Sequence, residues 1–142
     1  MNDSPTPSNS MPTGLWVAVG ITALMAYRVT PLALLGEVGD SIPEFWGIAF
    51  RGDIFIGATA PFVAWLLWKR RDLVGWVVPL IWHWIGIKDF ITGVELHLIQ
   101  PFAPEMGDLA LIVLGAGPFV HLVAVFFIVR HRALYLPGDR PS

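Results

Sequence analysis

The segment Leu73–Ile99, LVGWVVPLIWHWIGIKDFITGVELHLI, decides the fold of this chain. It is apolar and exceeds the roughly 20 residues that a helix needs to cross a bilayer. An ionisable side chain in the middle of such a helix costs about 2.5–3.5 kcal/mol on insertion scales. The segment nevertheless carries His83, Lys88, Asp89, Glu95 and His97. A helix with this many ionisable groups must bury, neutralise or use them, so the sequence indicates a membrane protein with a polar interior.

The composition of the whole chain also favours a lipid bilayer as its surroundings. Of the 142 residues, 55% are hydrophobic and only 14% are charged, against about 25% in an ordinary soluble domain. The mean hydropathy is +0.64. A net charge of −2 without an extended basic patch argues against nucleic acid as a partner. The chain has no Cys, which excludes disulfides, thiolate metal sites and covalent haem attachment.

The apolar residues fall into four segments that we expect to be membrane-spanning helices joined by short loops. These segments cover residues 14–35, 45–68, 73–99 and 109–129. We therefore expect an all-α, four-helix transmembrane bundle of up-down-up-down order, which occupies residues 14–132 as a single domain. Residues 1–13 are rich in Ser, Pro and Asn and are expected to be a disordered tail, and residues 133–142 a C-terminal tail.

Arg28 interrupts the first segment, whose continuous apolar part is short. A cleaved signal peptide is the rival interpretation of this segment, but no Lys or Arg precedes its apolar run. We expect a retained helix whose Arg28 side chain snorkels to the nearer membrane surface.

The charges of the loops predict the orientation of the bundle. Basic residues follow the second and the fourth segments, whereas the other two loops are acidic. The basic residues are Lys69, Arg70, Arg71, Arg130 and Arg132. Because cytoplasmic loops carry an excess of Lys and Arg, both termini are expected to be cytoplasmic.

The ionisable residues of the third helix divide between two faces at 100° per residue. Asp89, His83 and His97 share a face with several glycines, which allow close helix packing, so they are expected to point into the bundle. Lys88 and Glu95 lie on the opposite face, where they pair loosely or Glu95 reaches the outer surface.

The second and fourth helices repeat this pattern. Asp53 and His121 each lie on a stripe of small residues, whereas Arg51 points away, toward lipid headgroups or Glu44. At 1.5 Å per residue, Asp53 and Asp89 lie about 12 and 15 Å below the outer ends of their helices. His83 and His121 lie about 15 and 12 Å from the cytoplasmic ends. We therefore expect the two carboxylates to meet at one level and the two imidazoles at another.

Two short motifs resemble a family of small bacterial membrane proteins with four helices. They are GDIFIGATAP at Gly52–Pro61 and WHWIGIKDF at Trp82–Phe90. The family patterns are Gly-Asp-x-x-x-Gly-x-x-Ala-Pro and Trp-Asn-x-x-Gly-x-x-Asp, and His83 replaces the Asn. The resemblance implies a multi-pass protein of the bacterial inner membrane in which Asp53 and Asp89 matter, and it implies no activity.

The Asp53–Asp89 pair leads to the first functional hypothesis, a binding or transport-type bundle or a subunit of a membrane complex. Intramembrane carboxylates commonly serve as proton or ion sites. They also hold helices together through hydrogen bonds of about 0.6–2 kcal/mol, and two close carboxylates can share one proton. Four helices enclose a thin pore at best, so transport would require a homodimer or a larger complex.

Two other hypotheses remain open. His83 and His121 could be the axial ligands of haem b in a redox-linked protein, since helix bundles hold cofactors between facing helices. Alternatively, the chain is a purely structural accessory protein. No metal site is expected, because the carboxylates and the histidines lie at different depths. No nucleophile or nucleotide-binding motif occurs, so acid–base work by Asp, Glu or His is the only candidate for an enzymatic mechanism.

Overall fold

The computed structural model describes residues 10–30, 46–101 and 108–136, and these residues form four α-helices. Their bounds, with two 3-10 turns, are α1 Thr13–Leu24, a turn Met25–Val29, α2 Gly47–Lys69, α3 Leu73–Ile99, α4 Asp108–Arg130, and a turn Arg132–Leu134. No strand occurs in the described residues. The predicted all-α class is confirmed, and α3 has the predicted bounds.

The helices α2, α3 and α4 are each long and apolar enough to cross a membrane. The first apolar helix, Thr13–Val29, is shorter than the predicted span, whose residues 31–35 lie outside the described part of the chain. Large apolar side chains such as Ile112 and Phe119 are exposed, while Thr22, Arg28 and His83 are buried. Polar groups inside and apolar groups outside fit a protein surrounded by lipid.

Each of the four helices packs against two others. The helix α1 contacts α2 and α4, and α3 contacts the same two helices. The 3-10 turn Met25–Val29 packs mainly against α2. The chain therefore forms a four-helix bundle in which α1 with its turn lies next to α2.

Two apolar clusters fill the interior between these helices. One joins the turn after α1 to α2 and α3, and its buried members are Met25, Ile56, Ala60, Val63 and Trp82. The other joins α1, α2 and α4 through Ala18, Leu67, Ala124 and Ile128. Both clusters contain alanines, which allow the helices to approach closely.

A capping interaction fixes where α3 begins. The Asp72 carboxylate accepts a hydrogen bond from the Gly75 backbone N–H at 3.0 Å, which satisfies one of the free donors of the first turn. The Arg70 guanidinium also donates to Asp72, at 2.8 Å from Nε. This hydrogen bond from Arg70 holds the pKa of Asp72 below its usual range.

The residues after α4 fold back onto the end of α2. Tyr135 is buried, and its O–H donates to the Leu67 carbonyl at 3.1 Å. The Arg71 guanidinium lies 5.5 Å from the centre of the Tyr135 ring. The segment predicted as a C-terminal tail therefore begins with residues that are packed against the bundle.

Candidate functional site

Arg28 lies inside the bundle, so the prediction that it reaches the membrane surface is wrong. Its side chain is only 3% exposed and forms salt bridges with both Asp53 and Asp89. A single arginine would snorkel because no counter-charge is available at depth. Arg28 instead has two carboxylates within reach, and pairing with them neutralises a buried charge.

Arg28 joins α2 and α3 through the Nε and Nη2 atoms of its guanidinium. Its Nε donates to Asp53 Oδ1 at 2.6 Å, and Nη2 lies 2.5 Å from the same oxygen. Nη2 also donates to Asp89 Oδ2. The guanidinium carbon lies 4.1 Å from the centre of the Phe90 ring, in cation–π contact. The two predicted carboxylates therefore lie at one site, but the guanidinium lies between them in place of a shared proton.

Two glycines of α2 make room for this cluster. A methyl group on Gly52 would overlap the Asp89 carboxylate. A methyl group on Gly57 would lie 2.5 Å from the Val29 backbone nitrogen and 2.7 Å from the Arg28 carbonyl carbon. Backbone atoms cannot move aside as a flexible side chain can, so Gly57 allows the turn that carries Arg28 to pack on α2.

A cavity of about 160 Å³ lies beside the charged cluster. Arg28, Asp53 and Asp89 line it together with aromatic and small residues. The aromatic residues are Tyr27, Trp46, Phe50 and Phe90, and the small ones include Ala49 and Gly93. The side chains of Asp53 and Asp89 are 27% and 13% exposed, so the cluster is not sealed by protein.

His83 and His121 form a second polar cluster, in direct contact with each other. Their Nδ1 atoms are 2.8 Å apart, and His83 Nε2 lies 3.1 Å from the Thr22 hydroxyl oxygen. A methyl group on Gly86 would lie 2.7 Å from His121 Nε2, so Gly86 makes room for this ring. The histidine pair thus connects α3 and α4 to Thr22 of α1.

The hydroxyl of Thr22 determines the tautomers of the two rings when both are neutral. Thr22 Oγ1 donates to the Ala18 carbonyl at 2.7 Å, so it accepts from His83 Nε2. His83 Nδ1 is then an acceptor, and His121 Nδ1 donates to it. His121 Nε2 is left without a proton, and it is buried with no hydrogen-bond partner in the part of the chain that the structure describes.

The geometry of this pair does not fit haem b ligated by both histidines. Imidazole nitrogens bind metals at about 2.0–2.1 Å, so two axial nitrogens stand about 4 Å apart across the ion. The facing Nδ1 atoms of His83 and His121 are hydrogen-bonded at 2.8 Å, which leaves no room for iron or a porphyrin. Within residues 10–30, 46–101 and 108–136, no group of three His, Cys, Asp or Glu side chains could hold a metal ion.

The remaining candidates belong to neither cluster. Arg51, Lys88 and Glu95 are exposed, as their helical positions predict. Glu44, the suggested partner of Arg51, lies outside the described residues. His97 is buried, and its Nδ1 has no hydrogen-bond partner among the described residues.

Comparisons with known proteins add no identification. No protein-family model, curated protein sequence or solved structure matches this chain. The resemblance of its two motifs to small bacterial membrane proteins therefore stays a prediction. The site nevertheless gives a physical reason for several motif positions, because Gly52, Asp53, Gly57 and Asp89 all belong to the Arg28 cluster.

The roles of two residues in these clusters were not predicted from the sequence. They are Thr22, and Arg28 as an ion-pair partner. Charge balance was the available signal for Arg28, since two intramembrane carboxylates call for a cation at similar depth. Thr22 gave no signal, because a threonine in an apolar helix usually bonds its own backbone, as Thr22 also does with Ala18.

Proposed function

We propose that the protein is a small multi-pass membrane protein that binds one positive charge, a proton or a small cation, at Arg28, Asp53 and Asp89. It is a binding or transport-type bundle, acting alone, as a homodimer or as a subunit of a membrane complex. The binding site opens into the cavity beside the cluster.

One observation carries this proposal: a single buried guanidinium contacts two carboxylates. With both carboxylates ionised, the three groups have one negative charge in excess. An uncompensated charge in a bilayer interior is costly, so the cluster gains from taking up one proton or one cation. A neutral salt bridge needs only one carboxylate for each arginine, so the second carboxylate gives the cluster the excess negative charge that a bound proton or cation would balance.

The first apolar helix is proposed to be the fourth membrane span. Its α-helical and 3-10 parts together reach about 28 Å, close to the roughly 30 Å of a hydrocarbon core. With this helix as a span, we propose the up-down-up-down order that the sequence predicts.

The contact of Tyr135 with Leu67 supports an orientation with both termini in the cytoplasm. It brings the chain after α4 to the end of α2. The basic residues after α2 and those after α4 therefore lie at the same end of the bundle. The positive-inside rule assigns that end to the cytoplasm, and the motif resemblance suggests a bacterial inner membrane.

Infrared difference spectroscopy tests the uptake of a positive charge directly. The full-length protein in lipid nanodiscs is titrated with acid or with a cation, and the carboxyl and carboxylate bands are followed. We expect the bands of one carboxyl group per protein to change during the titration, and we expect this change to be absent in Asp53→Asn and in Asp89→Asn. Glu95→Gln is the matched control, because Glu95 is an exposed carboxylate on the same helix as Asp89.

A structural role gives the opposite result. If neither carboxylate responds to protons or cations while both amide variants lose stability, the cluster only holds helices together and the proposal is wrong. Proteoliposomes that contain a pH-sensitive dye then separate transport from binding, since only a transporter dissipates an imposed gradient in an Asp89-dependent way.

A further inference from the structure

We infer that the cavity beside Arg28, Asp53 and Asp89 binds a small organic monocation that carries an ammonium group and a neutral acceptor oxygen. This inference rests on the proposed function and names the chemical class of the cation. Four features of the site lead to it: the size of the cavity, its net charge, an unpartnered donor and its aromatic lining.

The size of the cavity suits a small organic molecule. Its volume is about 160 Å³. A buried cavity of about 150 Å³ accommodates benzene, which has six non-hydrogen atoms. A bare alkali ion would leave most of this space to water, whereas a short amine or amino alcohol would fill a large part of it.

The net charge selects a ligand with one positive charge. The two carboxylates and the guanidinium leave one negative charge in excess when all three are ionised. A monocation brings the cluster to neutrality, whereas a zwitterion or a neutral molecule leaves the excess charge in place.

An unpartnered donor of Arg28 calls for an acceptor on the ligand. Arg28 Nη1 is buried and has no hydrogen-bond partner among the described residues, and the Arg28 side chain lines the cavity. A buried donor without a partner costs about 1–3 kcal/mol, and more when it is charged. A hydroxyl or carbonyl oxygen would satisfy Nη1 without adding a second charge.

The aromatic lining fits an ammonium group on the same ligand. Tyr27, Trp46, Phe50 and Phe90 line the cavity. Aromatic faces attract cations, and the attraction grows to about 2 kcal/mol or more when the cation is desolvated. Phe90 already has the Arg28 guanidinium over its ring, so its surroundings tolerate positive charge.

Four matched probes test the inference by calorimetric titration of the full-length protein in nanodiscs. Ethanolamine has both required groups. Propylamine replaces its hydroxyl by a methyl group, ethylene glycol lacks the charge, and glycine is a zwitterion. We expect ethanolamine to bind at one site and at least about tenfold more tightly than each of the other three, a difference of about 1.4 kcal/mol or more.

Variants connect the binding to the cavity. We expect Asp89→Asn to weaken ethanolamine at least about tenfold and Glu95→Gln to leave the affinity unchanged. Ala49→Leu changes no charge and fills part of the cavity, so it is expected to abolish binding even if Asp89→Asn does not fold. Thermal unfolding of each variant shows whether it is folded.

Each contrary result contradicts a particular part of this inference. If propylamine binds as tightly as ethanolamine, the ligand does not need an acceptor oxygen. If glycine binds as tightly, the ligand does not need to be a monocation. If no probe binds but a carboxyl group still titrates in the infrared spectrum, this inference is wrong and the proposed function stands. If neither response occurs, both are wrong.

Discussion

Arg28→Met gives the most direct test of how the charged cluster is built. Methionine keeps much of the length and the apolar stem of arginine but removes the guanidinium. Two carboxylates, 27% and 13% exposed, would then face each other with no cation between them. The ion pair with Asp89 and the contact with the Phe90 ring would be lost as well.

The expected magnitude follows from the burial of Arg28. Removal of one partner from a buried ion pair costs about 3–5 kcal/mol, because the remaining charge stays without compensation. Protonation of one carboxylate lowers this cost at acidic pH, so the loss should be largest at neutral and alkaline pH. Asp89→Asn leaves a neutral Arg28–Asp53 pair and is therefore expected to cost less than Arg28→Met.

The triple variant Arg28→Met, Asp53→Asn, Asp89→Asn separates charge imbalance from lost packing. It contains no charge in the cluster, so we expect it to regain most of the stability that Arg28→Met loses. Arg51→Met is the matched control, since Arg51 is an exposed arginine on α2, and surface substitutions usually change stability by less than about 0.5 kcal/mol.

Unfolding in mixed micelles, followed by tryptophan fluorescence, measures these free energies, and the seven Trp residues supply the signal. The order of stability should be wild type, then the triple variant and Asp89→Asn, then Arg28→Met. A triple variant no more stable than Arg28→Met would refute the charge-balance reasoning. A loss of less than about 1 kcal/mol in Arg28→Met at neutral pH would refute the burial of the pair.

Two further predictions concern a glycine and a buried tyrosine. Gly57→Ala should destabilise the protein by about 1–3 kcal/mol, because its methyl group would meet the Val29 backbone. Gly20→Ala is the control and should be neutral or stabilising, since a methyl group there meets nothing within 4 Å. Equal effects of the two substitutions on stability would contradict the close packing at Gly57. Burial raises the pKa of Tyr135 above its usual value of about 10. Its contribution to stability is therefore present below that pH and lost as the pH rises through the folded-state pKa, so Tyr135→Phe should remove part of the alkaline decline in unfolding free energy.

The all-helical class and the helices themselves could be predicted because each helix carries its own signal. The length and hydropathy of α3 fixed its bounds, and the small-residue stripes identified the inward faces of α2, α3 and α4. Asp53, Asp89, His83 and His121 were accordingly recognised as facing the interior. Such predictions require only one helix at a time and a regular 100° rotation per residue.

Arg28 could not be placed by the same reasoning. The chain leaves the α-helix at Leu24 and continues as a 3-10 turn, in which successive side chains are rotated by about 120° instead of 100°. Four residues into such a turn, the direction of a side chain differs by most of a quadrant from the helical expectation. The partners of Arg28 are also distant in sequence, so their contact depends on how three elements pack together.

The contact of Arg28 with Asp53 and Asp89 also depends on two glycines of α2. Gly52 leaves space for the Asp89 carboxylate of α3, Asp53 binds Arg28, and Gly57 receives the turn that carries Arg28. Six consecutive positions of α2 thus leave space for the Asp89 side chain, supply the Asp53 carboxylate and leave space for the backbone of the turn that carries Arg28. A side chain at either glycine would move one ionic partner away and leave the other charges buried without compensation. The Gly-Asp-x-x-x-Gly pattern is therefore a requirement of the charged cluster. The three heavy atoms nearest to a methyl group at Gly52 all belong to Asp89, so without Asp89 the packing of the helices would tolerate alanine at this position.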